Sequence, residues 1–366
     1  METYLFYVLI MTVSVLFLWA SSRVERGNLR SSLIFGSFVA LYIPLVIRDI
    51  TVGVDYVRYR DTFYDVISSS VLNDSIVSWL GWPFIYLMKI LAPLVFNNYI
   101  IFYGLVSLVG FAFLYKAILK AKISWLALFL FVAFCLYFQM FNQIRQMTSI
   151  CIILSSIEYI KNKSILKFVL TVAFASVFHM TSVLFLPMYI LAQVKLSKKT
   201  VLIYIIVGAI VFASSAAILS LVANTSYGVI YLESGYNIAL LLSTLQNFVV
   251  RLVMLVGCLL FAKRTMKVDS RLSILFTVAI YCTLIQVLAI NSALFGRVTT
   301  MFFVVYVLLV PAIVSACYRG WSRQKVIIGI ILISLIYQYV YYVAPSGAKS
   351  AGYDRYSVTG RSIMQK

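Results

Sequence analysis

The 366-residue chain is 63% hydrophobic and only 11% charged, whereas a soluble domain is roughly half apolar and about a quarter charged. Lipid is therefore the solvent for most of it, and a soluble enzyme or binding module is excluded. The formal charge of +19 does not indicate nucleic acid, because the Lys and Arg residues stand in short clusters between apolar runs, without a basic face or recognition module.

Met1-Glu2-Thr3 lacks the basic leader of a secretory signal, so the first apolar run is expected to remain as a span. A span needs about 20 apolar residues. Candidates in chain order are 3 to 20, 31 to 47, 99 to 115, 123 to 141, 144 to 160, 200 to 222, 244 to 262, 272 to 290, 298 to 317 and 326 to 343. Residues 79 to 96 are apolar but carry Pro83, Lys89 and Pro93, and 165 to 194 is too long for one span and breaks near His179. Six connectors are basic: Arg23/Arg26/Arg30, Lys116/Lys120/Lys122, Lys161/Lys163/Lys167, Lys195/Lys198/Lys199, Lys263/Arg264/Lys267/Arg271 and Arg319/Arg323/Lys325. Short cytoplasmic loops are enriched in Lys and Arg. All six fall on that side only if 79 to 96 is re-entrant or interfacial and 165 to 194 is a helical hairpin with His179 near its tip.

The expected fold is thus an all-α transmembrane bundle of about twelve crossings, with both termini non-cytoplasmic. The competing pattern, in which every apolar run crosses once, leaves some basic loops on the wrong side. No repeat, linker or low-complexity tract divides the chain, so 1 to 366 is read as a single integral membrane domain. The cysteines (Cys135, Cys151, Cys258, Cys282, Cys317) lie inside apolar runs without CxxC spacing and read as packing residues.

Polar residues in unusual places mark the candidate site. The first outer loop runs from Arg48 to Tyr59. Gly53 permits a tight turn, and a helix starting near Asp55 sets Asp55 and Tyr59 on one face, with Tyr56 beside them. Such a turn can aim an Arg, a carboxylate and a phenol into one cleft, although an interfacial anchor would use the same residues. Phe141-Asn142-Gln143-Ile144-Arg145-Gln146 joins two spans with almost no loop. Four hydrogen-bonding side chains there are costly unless they line a wet cavity or bind something. Alternatively, Asn142 caps the next helix and Arg145 snorkels outward.

His179, the only histidine, precedes Met180, Thr181 and Ser182 at the hairpin break. It can exchange a proton near neutral pH, orient a hydroxyl, or serve as a satisfied structural residue. Arg251 lies inside a span, where a cation costs at least about 2.5 kcal/mol, so it should face the interior and meet an anion. Arg297 follows Asn291-Ser292-Ala293-Leu294-Phe295-Gly296 at the start of another span. With Arg48 and Arg145 that places four arginines in the outer half, and guanidinium forks suit a membrane-borne diphosphate. Tyr227, Tyr231 and Tyr236, around Glu233, are candidates for stacking on sugar faces.

In order along the chain, R-x4-G-x-D-Y-x2-Y from Arg48, F-N-x-I-R-Q from Phe141, F-H-x-x-S from Phe178 and the pair Gly296-Arg297 resemble the EpsG-type family of bacterial polysaccharide polymerases, functional relatives of the Wzy O-antigen polymerases. The resemblance covers residues 48 to 297 and leaves Arg251 without a family match. It implies a multi-pass glycosyltransferase of the bacterial plasma membrane that joins undecaprenyl-diphosphate-linked repeat units on the outer leaflet, and a partner that regulates chain length. Arg48, Asp55, Arg145, His179 and Arg297 are the expected catalytic set, with Tyr56, Tyr59, Asn142, Gln146, Ser182 and Arg251 binding substrate. No DxD-type pair marks a metal site, so neither metal nor cofactor is expected. The competing classes are a transporter of lipid-linked glycans and a membrane O-acetyltransferase.

Overall fold

The computed structural model describes residues 2–69, 72, 74–214, 238–289, 293–343 and 350–358. Among them every regular element is helical, and the one β contact is an isolated bridge between Arg48 and Val358. Helices α1 (Glu2–Ser21) and α2 (Asn28–Val46) pack as a pair, and the Ser14 hydroxyl donates to the Ser37 carbonyl at 2.7 Å between them. Small residues at such a crossing let two backbones approach closely in lipid.

After a turn at Gly53, α3 (Val54–Ser68) buries Tyr56, Tyr59, Phe63 and Val66 at helical spacing and leaves Asp61 and Asp65 exposed. Two short helices follow, α4 (Asp74–Leu80) and α5 (Trp82–Leu91), joined at Gly81 with φ 75°. Ten helical residues reach about 15 Å, half the hydrocarbon thickness, so α5 alone is too short to cross, and it packs on α3.

Helix α6 (Tyr99–Ile118) starts at Asn98, whose side chain accepts from the Ile100 and Ile101 amides. Helices α7 (Ser124–Ala133) and α8 (Leu136–Asn142) form one bent rod, turned by 54° where Cys135 adopts a left-handed conformation, φ 62°. Helix α9 (Ile144–Lys161) is the buried centre of the bundle and packs on α6 and on α10 (Ile165–Phe178). The α6 contact is close enough that a Cβ at Gly110 would lie 3.0 Å from Thr148 Oγ1. At His179 the chain becomes extended, then a 3-10 turn (Met180–Phe185) and α11 (Met188–Leu191) run back along α10. Phe168, near the start of α10, meets Tyr189 with ring centroids 5.3 Å apart, which closes the hairpin.

The remaining described helices are α12 (Lys198–Ala213), α13 (Ile238–Leu260), α14 (Ala262–Val268), α15 (Ser273–Leu288), α16 (Ala293–Phe303), α17 (Tyr306–Cys317) and α18 (Gly320–Val343). Six described helices are long and apolar enough to cross a membrane, or up to eight if each bent pair is one span. The protein is therefore a multi-pass helical membrane protein. A count of twelve requires four further crossings by α9, the two hairpin arms and α12. Of these, α9 is burdened by Arg145, Glu158 and Lys161, and α10 is only about 21 Å long.

Five of the six basic connectors meet at one end of the bundle: Arg23, Lys122 and Arg323 line one cavity, and Lys122, Lys161 and Arg271 line its neighbour. Both ends of the described chain lie at the opposite end, beside the Arg48 loop. The Tyr356 amide donates to Thr3 Oγ1, and the Asp49 amide donates to the Ser357 carbonyl.

Candidate functional site

The junction between α8 and α9 organises this second end. Arg48, 2% exposed, reaches it from the end of α2. Its Nη1 donates to the Leu45 carbonyl at 2.8 Å and its Nη2 to the Phe141 carbonyl at 3.0 Å, with the guanidinium 4.0 Å from the Tyr56 ring centroid. Arg145, at the start of α9, is equally buried. Its Nε donates to the Phe178 carbonyl at 3.2 Å and its Nη2 to the Leu80 carbonyl, and the Phe84 ring lies beneath it. All four acceptors belong to the last turns of helices α2, α8, α10 and α4, where carbonyls have no partner within the helix. Each arginine thus satisfies two helix C-termini and neutralises the negative ends of their dipoles.

Asn142 and Gln146 hold the neighbouring segments. Asn142 Oδ1 accepts from the Asp55 amide at 3.2 Å and its Nδ2 donates to the Ala351 carbonyl at 2.9 Å. Gln146 Nε2 donates to the Arg297 carbonyl at 2.8 Å, which ties α16 to α9. Tyr59 lies buried with the Tyr103 ring 5.0 Å away, and Tyr103 donates to its carbonyl.

Three of the sequence-predicted groups remain accessible above this scaffold. The Arg297 side chain is exposed, while Asp55 and His179 are half-buried. Asn142, Arg145 and Gln146 hold the Asp55 amide, the Phe178 carbonyl next to His179 and the Arg297 carbonyl, so residues 55, 179 and 297 share one locality around the α8–α9 junction. Burial raises the Asp55 carboxyl above the usual carboxylate range, and the charges of Arg297 and Arg58 oppose the rise without cancelling it. A 460 Å³ groove runs along the exposed face of α3, with Arg58, Asp61, Thr62 and Asp65 in its walls. Charged and hydroxyl groups at that spacing can accept and donate hydrogen bonds along a glycan.

Arg251 stands apart. Its guanidinium lies 5.2 Å from the ring centroid of Phe303, six residues or about 9 Å down α16 from Arg297. Arg251 Nη1 and Ser182 Oγ are buried without a hydrogen-bond partner among the described residues. Tyr227, Tyr231, Glu233, Tyr236, Asn291 and Ser292 fall outside the described residues. Among those described, no group of three or more His, Cys, Asp and Glu side chains gathers as a metal set would.

The sequence reading missed the segment 350–358. The Gly53 amide donates to the Gly352 carbonyl at 3.0 Å and the Val54 amide to the Ala351 carbonyl at 3.3 Å, so this tail covers the turn that starts α3. Tyr353 is buried, its ring 6.1 Å from that of Phe138, and Tyr356 donates to the Pro44 carbonyl at 2.8 Å. The available signal was a run of aromatic and small residues, Ala351-Gly352-Tyr353 and Tyr356, unlike a solvated terminus.

No curated protein and no solved structure matches the chain. The family model described as EpsG family matches residues 31–356, which takes in the Arg48 loop, the α8–α9 junction, the His179 break, Arg297 and the tail as far as Tyr356. With nearly the whole chain covered, the protein belongs to the EpsG family.

Proposed function

We propose that the protein is a polymerase that joins undecaprenyl-diphosphate-linked oligosaccharide repeats into a longer chain on the non-cytoplasmic face of the bacterial plasma membrane. The observation that carries this reading is the exposed Arg297 beside the half-buried Asp55 and His179, at the end of the bundle opposite the basic connectors. Positive connectors favour the cytoplasm, which turns the Arg297 end outward.

An acceptor hydroxyl oxygen attacks the anomeric carbon of the donor sugar. The bond from that carbon to the phosphate oxygen breaks, and the lipid diphosphate leaves with the electron pair. Arg297 stabilises the negative charge that develops on it, and a fixed cation is most effective where charge appears in the transition state. Asp55 accepts the hydroxyl proton, a task suited to a carboxylate whose affinity for protons is already increased. His179 orients the hydroxyl. Arg48, Arg145, Asn142, Gln146, Tyr56 and Tyr59 hold these three groups in place, and the glycan lies along the α3 groove. The reaction needs no metal ion; activity abolished by a chelator and restored by magnesium contradicts that part.

Purified protein in proteoliposomes, supplied with one defined lipid-linked repeat, tests the reading. A ladder of longer glycans is expected. Unchanged length with translocation would establish a transporter instead, and a mass gain of one acetyl group an O-acetyltransferase.

A further inference from the structure

A 780 Å³ cavity opens at the basic end of the bundle, where the α1–α2, α6–α7 and α17–α18 connectors meet. Its walls carry Arg23, Arg30, Lys122 and Arg323 and no carboxylate. Among the described residues the ion pairs join Arg60 to Asp61 and Arg271 to Asp269, so neither takes up any of these four cations. Glu25 lies in the same turn as Arg23 but does not line the cavity. Cations gathered around one space without a counter-charge repel one another and raise the local potential, which an entering anion relieves.

Two further features identify the anion's chemistry. Trp19 and Trp125 stand in the same walls, with the Arg23 guanidinium 5.2 Å from the Trp19 ring centroid, an arrangement typical of headgroup depth. The cavity also continues onto apolar surface: Ile328 of α18 is in its wall, and Ile328, Leu332 and Leu16 are each more than half exposed. A free phosphate gains nothing from that surface, whereas acyl chains do. The first amides of α7, in the same wall, receive no side-chain cap and add donors for a phosphate oxygen. In the adjoining 410 Å³ cavity Glu158 and Asp269 offset part of the charge of Lys116, Lys120, Lys122, Lys161 and Arg271, and Asp269 is ion-paired with Arg271.

We propose that the larger cavity binds the headgroup of an anionic glycerophospholipid, its phosphate held among Arg23, Arg30, Lys122 and Arg323 and its acyl chains laid against α18. The inference does not depend on the polymerase reading. Full-length protein is purified and loaded with phosphatidylglycerol, phosphatidylcholine or inorganic phosphate, and retained ligand is counted by native mass spectrometry. Retention of phosphatidylglycerol alone is expected. Removing one cation near an anionic lipid surface weakens binding about fivefold, so Arg23→Gln with Arg323→Gln lowers retention about thirtyfold. Lys161→Gln, in the adjoining cavity only, leaves it unchanged. Should the double variant fail to fold, Arg30→Gln alone carries the fivefold test. Equal retention of phosphatidylcholine, equal retention of inorganic phosphate, or equal losses from Lys161→Gln overturn the proposal.

Discussion

Arginines in this protein divide into two kinds by what their guanidinium groups touch. Arg48 and Arg145 are buried on helix-end carbonyls, whereas Arg297 is exposed next to Asp55 and His179. Lysine keeps the charge but loses the planar fork, so Arg48→Lys leaves at least one buried carbonyl unpaired at a cost of about 1–3 kcal/mol. A lowered unfolding temperature in detergent is the expected sign. Arg297→Gln should instead lower kcat by about 10²–10³, the usual loss for one group that stabilises developing charge. The raised proton affinity of Asp55 has a consequence for pH. A base must be ionised, so activity declines as pH falls through the Asp55 pKa, and that decline sits above the ordinary carboxylate range. Asp55→Asn should remove the acid limb from the residual rate; a limb that persists assigns it to another group.

The turn before α3 is the element most dependent on one residue. Gly53 has φ 93°, and a Cβ there would lie 2.7 Å from both Asn142 Oδ1 and the Phe141 carbonyl oxygen. Gly53→Ala therefore combines an unfavourable conformation with a clash against a rigid junction, and a loss of about 1–3 kcal/mol is expected. Much of this region was legible in the sequence. Asn142, Arg145 and Gln146 stood out because hydrogen-bonding side chains in an apolar setting need partners, and the His179 break followed from a run too long for one span. Their partners were not legible. Every residue has a carbonyl, and only the assembled helices determine that the orphans at Leu45, Leu80, Phe141 and Phe178 reach two arginines. Guanidinium forks suit a diphosphate, but in the assembled fold Arg48 and Arg145 meet the negative ends of four helices.

At the scale of the whole molecule, charge counting kept 79 to 96 from crossing and made 165 to 194 a hairpin of two crossings; α5 is indeed short and the chain does reverse at His179, but α10, at about 21 Å, is shorter than the crossing assigned to it. The tail over the Gly53 turn escaped notice because its bonds span the full chain, as between Thr3 and Tyr356. Removing residues 350–366 strips Asn142, Gly53 and Val54 of hydrogen-bond partners. The truncated protein should still enter the membrane, yet lose activity and become sensitive to protease between residues 49 and 58. The central claim is that glycan linkage and lipid-diphosphate departure are one event at Arg297. Counting released undecaprenyl diphosphate against glycosidic bonds formed, in wild type and Arg297→Gln, tests it most directly. One lipid diphosphate per linkage is expected, with both falling together in the variant while substrate still binds; glycan growth without release, or an Arg297→Gln enzyme at full rate, would contradict the account.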